Sequence, residues 1–173
     1  MCARITVLGT CHDVQGAEKW KGLRLDDAQY KTVLKRLLRG CDFVFEEASG
    51  LGPTTLERWC VDRMGADHYL DVDPAVVDRP KFGIDRTGES YAIDASFQNT
   101  DFLCSEYVKP QAARERLWLR RIKKASFNKA IFVCGHLHML SMSFRLRARG
   151  YEVEASCYIP WRAFCRRVMD GRA

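Results

Sequence analysis

Short apolar runs of strand type alternate with segments of helical spacing along most of this chain. The predicted strands are residues 4–8, 42–45, 69–72, 130–134 and 151–158. The predicted helices are residues 26–39, 54–64, 111–125, 138–149 and 160–169. Parallel strands need a long crossover between them, usually a helix, so this alternation predicts an α/β fold. We expect a mostly parallel sheet flanked by helices, with Gly9 ending the first strand.

The length of 173 residues, with 47% hydrophobic and 29% charged residues, is typical of one globular domain. This composition excludes a disordered or fibrous chain. We therefore expect a single α/β domain over 1–173. Residues 74–108 show no sustained period, which predicts an irregular connection or a lid, since long loops in compact domains are often functional.

Charge is unevenly distributed along the chain, whose net charge is +6. Residues 1–106 hold 13 basic and 18 acidic side chains, whereas residues 107–173 hold 15 basic and 4 acidic ones. Such a basic C-terminal half could attract phosphate, nucleic acid or an acidic partner. The alternative is a set of solvated helix faces, because most runs of charge are only that.

The helix predicted over 111–125 is rich in arginine and lysine around an apolar stripe. The expected inner residues are Leu117, Trp118, Ile122 and Ala125. We expect Arg114 to point inward and most of the other basic side chains to face solvent, with their stems covering the stripe. An inward arginine could anchor a substrate carboxylate or phosphate, or act as an electrophilic stabiliser.

The eight cysteines contain no C-x-x-C pair, which excludes the zinc-ribbon and thioredoxin motifs. The N-terminus has no signal-peptide pattern, and no apolar run approaches the ~20 residues that span a membrane. We therefore expect a cytoplasmic protein with reduced thiols and no transmembrane segment. Cys134, within an apolar run, is expected to be a small core residue, and Cys11 to be a wall of the site described next.

Polar clusters follow three of the predicted strands. Gly9 to His12 follows the first strand, Glu46 and Glu47 follow the second, and Gly135 to His138 follows the fourth. In a parallel sheet these clusters converge on the edge where α/β proteins bind ligands. Two imidazoles and a carboxylate there predict a divalent-metal site, and without metal the same groups suit general acid–base work. The glycines are expected to let the backbone turn sharply and approach a ligand.

The order of these motifs resembles the TraB/TIKI superfamily, which carries two G-x-x-H motifs and a glutamate after the second strand. V-L-G-T-C-H resembles the first motif, D-F-V-F-E-E the glutamate strand, and V-C-G-H-L-H-M the second motif. R-E-R-L-W-L-R-R-I resembles the arginine-headed helix that precedes it. The matching positions are Gly9, His12, Glu47 with Glu46 as the alternative, Arg114, Gly135 and His138.

The resemblance implies a TraB/ChaN-like α/β fold and a metal-dependent hydrolase of a small-molecule or peptide substrate. His12, Glu47 and His138 would hold a divalent ion (Mn, Co or Zn), next to Gly9 and Gly135. The catalytic residues that the resemblance implies are Glu46 or Glu47 and Arg114, and His136 is expected to support them because it follows the same strand as His138. Members of the superfamily differ widely in substrate, so the bond that is cleaved stays open.

Two other functions are compatible with the sequence. Gly135-His136-Leu137-His138 also resembles the G-H-x-H of calcineurin-like phosphoesterases, but the D-x-H opening of those enzymes is absent, because His12 precedes Asp13. The second alternative is a non-catalytic protein that binds haem, another ligand or nucleic acid, using the same crevice or the basic half. The basic helix 160–169 would serve such a partner, although its apolar stripe is more typical of packing against a core.

Overall fold

The computed structural model describes residues 2–10, 27–48, 54–82, 84 and 105–158 of the chain. These residues form five strands: β1 (Arg4–Thr10), β2 (Phe43–Glu46), β3 (Tyr69–Asp71), β4 (Lys129–Gly135) and β5 (Glu152–Tyr158). The α-helices among them are α1 (Asp27–Leu37), α2 (Thr55–Met64), α3 (Ser105–Lys124) and α4 (His136–Arg147). Short 3₁₀ helices cover Ala66–His68 and Val76–Phe82.

All five strands lie parallel in one sheet, in the order β3-β2-β4-β1-β5. The predicted α/β fold with a parallel sheet flanked by helices is therefore confirmed. The connections from β1 to β2 and from β2 to β3 move toward one edge of the sheet, and those from β3 to β4 and from β4 to β5 move toward the opposite edge. Because parallel crossovers are right-handed, this reversal places α1 and α2 on one face of the sheet and α3 and α4 on the other.

A hydrophobic core fills each face. On the first face, Tyr30 and Leu34 of α1 and Leu56 of α2 pack against strand residues such as Leu8 and Val44. On the second face, α3 and α4 pack against the alternate strand residues, with the buried members Ile5, Val7, Phe45, Trp118, Ile122, Phe132, Cys134, Met142 and Leu146. The period of two along each strand thus decides which core a side chain joins.

The cysteines of these cores are structural. Cys134 is fully buried among apolar residues, as predicted, and burial raises the pKa of its thiol well above the usual value. Burial and the charge of Glu46 raise the pKa of Cys60 to about 11. Since the thiolate is the reactive form, neither residue is a ready nucleophile.

Several elements differ from their predicted limits. β1 continues through Gly9 to Thr10, because both residues pair with β4 on one side and β5 on the other. α3 begins at Ser105 rather than at 111 and runs through Pro110, and Val76–Phe82 forms a 3₁₀ helix, so the irregular stretch is shorter than predicted. α4 begins at His136 rather than at 138. The helix predicted over 160–169 lies outside the described residues.

No helix in the described part of the chain is both long enough and apolar enough to cross a membrane.

Gly9 allows α4 to approach the sheet closely. An ideal Cβ on Gly9 would lie 2.9 Å from Met139 Cβ and 3.1 Å from His136 Cα. The backbone of Gly9 is part of β1, and its φ is not positive, unlike that of Gly40, Gly65 and Gly150 among the described glycines. Its importance in this structure therefore comes from the missing side chain and not from a sharp turn.

We expect Gly9→Ala to lower the free energy of unfolding by about 1–3 kcal/mol, because α4 must move outward to admit one methyl group. Urea denaturation measures this loss. In the double variant with Met139→Gly, which removes both the Cβ and the Sδ that a methyl group on residue 9 would meet, the loss should be smaller than the sum of the two single losses. Strict additivity would show that Gly9 and Met139 do not contact each other as described.

Candidate functional site

The carboxyl ends of β2, β4 and β1 lie side by side, because these strands are neighbours in the sheet. Thr10 pairs with Gly135, and Glu46 pairs with Val133 two residues earlier in β4. The three predicted polar clusters thus begin at one edge, as the sequence indicates. His12 and Cys11 lie outside the described residues, so the first cluster is described only through Gly9 and Thr10.

Adjacent glutamates at the end of β2 face opposite sides of the sheet. Glu46 lies on the α2 side, where its Oε2 accepts hydrogen bonds from Thr54 Oγ1 at 2.6 Å and from Tyr69 OH at 2.9 Å. Thr54 is also the N-cap of α2, where its side chain accepts a hydrogen bond from Glu57 N. Burial, followed by the charge of Glu46, raises the pKa of Tyr69 far above its usual value, so this hydroxyl stays protonated.

Glu47 lies on the α3 and α4 side and is fully buried. Its backbone N–H continues the ladder of β2 by donating to Val133 O at 2.9 Å, which fixes the direction of its side chain. Glu47 Oε1 accepts from Arg114 Nη2 at 2.6 Å, and Oε2 accepts from Gly135 N at 2.7 Å. Of the two glutamates, Glu47 is therefore the one that contacts the predicted arginine and the start of α4.

Arg114 points inward from α3 and is 7% exposed, as predicted. Arg116, Arg120, Lys123 and Lys124 of the same helix are exposed, so the expected division of its basic residues is confirmed. Besides Glu47, the guanidinium donates to Asp73 through Nε at 3.2 Å and Nη2 at 3.1 Å. Arg114 therefore joins two buried carboxylates.

Asp73 is the centre of this charge network, and the sequence analysis did not identify it. It lies two residues beyond β3 and is 3% exposed. Its carboxylate also accepts from Arg79 Nη2 at 2.7 Å and from Trp118 Nε1 at 2.9 Å. The available signal was the same as at Glu47, namely a carboxylate directly after a predicted strand.

His138 lies in the first turn of α4 and is 6% exposed. Its Nε2 is 4.0 Å from Glu47 Oε1, and its Nδ1 is 3.0 Å from Glu115 Oε1. The Trp118 ring and the imidazole pack in a T-shaped pair, with 4.8 Å between the ring centroids. His138 and Glu47, two of the three predicted metal ligands, are thus brought together. The third, His12, is among the residues that are not described.

Glu115 is a second buried carboxylate that the sequence analysis missed. Ser141 Oγ donates to its Oε1, and Arg145 Nε donates to its Oε2 at 2.8 Å. Burial acts to raise the pKa of Glu115, but the hydrogen bonds from His138 and Ser141 and the charge of Arg145 outweigh it, so the pKa lies below its usual value. In the sequence, Glu115 stands between two arginines of a basic helix and is indistinguishable from a solvated residue.

Among the described residues, the ion pairs of the network join three carboxylates to three guanidinium groups. The network contains the carboxylates of Glu47, Asp73 and Glu115 and the guanidinium groups of Arg79, Arg114 and Arg145. Burial of charged groups is costly unless they are paired, and such groups concentrate at functional sites, although structural networks also contain them. Within the described ranges, no three His, Cys, Asp or Glu side chains are arranged to hold a metal ion.

His136 occupies the first position of α4 and is half-buried, with its Cα over Gly9. Gly135 is the N-cap of α4, with φ −54° and ψ 138°, so this backbone is not left-handed. The N–H of Gly135 that binds Glu47 shows that the backbone at this glycine does approach a carboxylate.

Comparison with models of known protein families finds no match, and comparison with curated proteins finds none either.

We expect Asp73→Asn to destabilise the fold by about 3–5 kcal/mol, because two buried guanidinium groups would lose their shared negative charge. Thermal and urea unfolding measure this effect. Asp78→Asn is the matched control, since the ion pair of Asp78 with Lys81 is exposed and should contribute less than about 1 kcal/mol. Equal effects of the two substitutions would contradict the described network.

A pH-dependent effect is expected at Asp71, the last residue of β3. Burial raises the pKa of Asp71 to about 6, against the lowering effect of hydrogen bonds from the Asp73 and Ala48 N–H groups. The folded protein therefore holds this proton more tightly than the unfolded chain, and stability falls as the pH rises from about 4 to 6.

Asp71→Asn keeps the acceptor oxygen and removes the buried charge. The variant should be more stable than the wild type by about 1–2 kcal/mol at pH 8 and nearly equal to it at pH 4. Urea unfolding at the two pH values measures the difference. The exposed Asp62→Asn serves as the control, and a gain that is the same at both pH values would be inconsistent with this assignment.

Proposed function

We propose that this chain is a metal-dependent hydrolase of the TraB/TIKI type, with its site at the carboxyl ends of β1, β2 and β4. The observation that carries the proposal is the approach of Glu47 Oε1 and His138 Nε2 to 4.0 Å in a buried cluster at that edge. His12 is proposed as the third ligand, on the basis of its place just after β1.

The separation of these two atoms is close to that of two ligands on one ion. Bonds from Zn to imidazole nitrogen or carboxylate oxygen are ~2.0–2.2 Å, so two ligand atoms of a tetrahedral ion lie about 3.3–3.6 Å apart, and Glu47 Oε1 and His138 Nε2 would move together by about 0.5 Å to share it. Imidazole and carboxylate are also ligand types that Mn, Co and Zn accept. The chemistry that such an ion supplies when bound is Lewis acidity toward water and toward the carbonyl or phosphoryl oxygen of a substrate.

Glu47 is the proposed carboxylate of the site, for two reasons. It shares the α3 and α4 side of the sheet with His138, whereas Glu46 is engaged with Thr54 and Tyr69 on the other side. Arg114 and the Gly135 N–H hold different oxygens of Glu47, so they fix the plane of the carboxylate. In this arrangement, Glu47 can accept a proton from a water at the site.

Arg114 is proposed to orient Glu47 rather than to bind the substrate directly. Arg114 is 7% exposed, and its guanidinium already contacts Glu47 and Asp73. His136, at the more accessible first position of α4, is proposed as the group that contacts the substrate. The bond that is cleaved is an ester, a peptide or another hydrolysable bond of a small molecule or peptide.

Metal analysis tests the site directly. After loading with Mn, Co or Zn and removal of excess ion, the wild type should retain metal, whereas His12→Ala, His138→Ala and Glu47→Gln should lose most of it. Glu46→Gln is the matched control, because it makes the same chemical change one residue away on the opposite face. Equal metal content in the wild type and His138→Ala would rule out the proposed centre.

Activity is then measured on ester, peptide and phosphodiester substrates with each metal. We expect hydrolysis that chelation abolishes, that Glu47→Gln abolishes and that Glu46→Gln preserves. Hydrolysis of phosphodiesters alone would favour a phosphoesterase.

A second candidate, binding of a nucleic acid, is favoured by the row of exposed cations on α3. Arg116, Arg120, Lys123 and Lys124 all face outward in the basic half of the chain. Binding of DNA or RNA that weakens steeply with salt and persists in His138→Ala would support this candidate.

A further inference from the structure

One stripe of α4 converges on a single carboxylate of α3. His138, Ser141 and Arg145 are spaced by three and four residues, so they share a helix face. All three side chains contact Glu115: His138 and Ser141 at Oε1, and Arg145 at Oε2. Glu115 has a side chain that is 5% exposed, so water contributes little to its environment.

We propose that Glu115 is a positioning residue that keeps the proton of His138 on Nδ1 and thereby turns an unprotonated Nε2 toward Glu47. The metal-binding consequence of this role rests on the proposed function. The position of the proton does not, because it follows from the contacts of His138 in the metal-free chain.

The direction of the hydrogen bond decides the tautomer. An ionised carboxylate has acceptors only, and Oε2 of Glu115 already faces the guanidinium of Arg145 at 2.8 Å. Ser141 Oγ approaches Oε1, where a hydroxyl can donate. His138 Nδ1, 3.0 Å from the same oxygen, must therefore donate as well. A neutral imidazole carries one ring proton, so Nε2 then has a free lone pair.

Packing fixes the orientation of the His138 ring. The Trp118 ring meets the imidazole at an interplanar angle of 73°, and Trp118 itself donates to Asp73 at 2.9 Å. The ring of His138 is thus held between Trp118 and Glu115, both on α3, with Nε2 4.0 Å from Glu47 Oε1. A carboxylate on the far nitrogen of a ligating histidine fixes the tautomer and raises the basicity of the ligand.

Nitrogen-15 spectra of the metal-free, full-length protein test the proposal. Protonated and unprotonated ring nitrogens have well-separated shifts, and His138→Ala identifies the signals of His138 among the four histidines. We expect Nδ1 protonated and Nε2 unprotonated in the neutral wild type. The opposite assignment in the wild type would overturn the proposal, whatever the behaviour of any variant.

The variant Glu115→Gln provides a second test of the proposal. The glutamine oxygen can face either Arg145 or the His138 and Ser141 pair, so the hold on the Nδ1 proton weakens and the other tautomer should become populated. Zn affinity should fall by about 10–100-fold. Ser141→Ala is the matched control, since it removes the other donor to Oε1 and should preserve both the tautomer and the Zn affinity.

The results separate this proposal from the proposed function. If the wild type binds no Zn, the metal centre fails, and the tautomers of the wild type and Glu115→Gln still decide whether Glu115 positions His138. If Glu115→Gln leaves both the tautomer and the Zn affinity as in the wild type, the positioning role is wrong. A tautomer change without a change in Zn affinity overturns its effect on the metal.

Discussion

The buried carboxylate of Asp73 is the interaction on which the rest of the site depends. Arg79, Arg114 and Trp118 all donate to it, and they belong to two parts of the chain: the 3₁₀ helix after β3 and one turn of α3. In a medium of low polarity, each of these groups is costly unless its partners are in place. The arrangement thus holds α3 at one rotation and one depth above the sheet.

A chain of hydrogen bonds continues from Asp73 across the second face of the sheet. Arg114, which binds Asp73, also donates to Glu47, and Glu47 accepts from the N–H of Gly135 at the start of α4. Gly9 allows α4 to lie close enough for this contact, because no Cβ separates β1 from Met139. The position of His138 is therefore a consequence of how two helices pack on one face, and not of its own turn alone.

The sequence predicted the main members of this cluster for a physical reason. Parallel strands present their carboxyl ends at one edge, so the polar residues that follow β2 and β4 had to lie near each other. Glu47, Arg114 and His138 do meet there. Asp73 carried the same local signal as Glu47, a carboxylate directly after a predicted strand, and was overlooked, whereas Glu115 was missed because its partners lie on another element. Glu115 in particular contacts residues 23 to 30 positions away, which a reading of its own helix does not reveal. The role of His12 stays a prediction.

By itself, the sequence determined the α/β class, the parallel sheet, the approximate elements and the edge at which the polar motifs gather. These follow from local periodicity and from the length of the connections, which are properties of neighbouring residues. Only the tertiary structure decided which of Glu46 and Glu47 contacts Arg114, and that Asp73 and Glu115 hold the cluster together. These choices depend on contacts between residues up to 88 positions apart, whose geometry is set by helix packing and strand register. No local pattern in the chain contains that information.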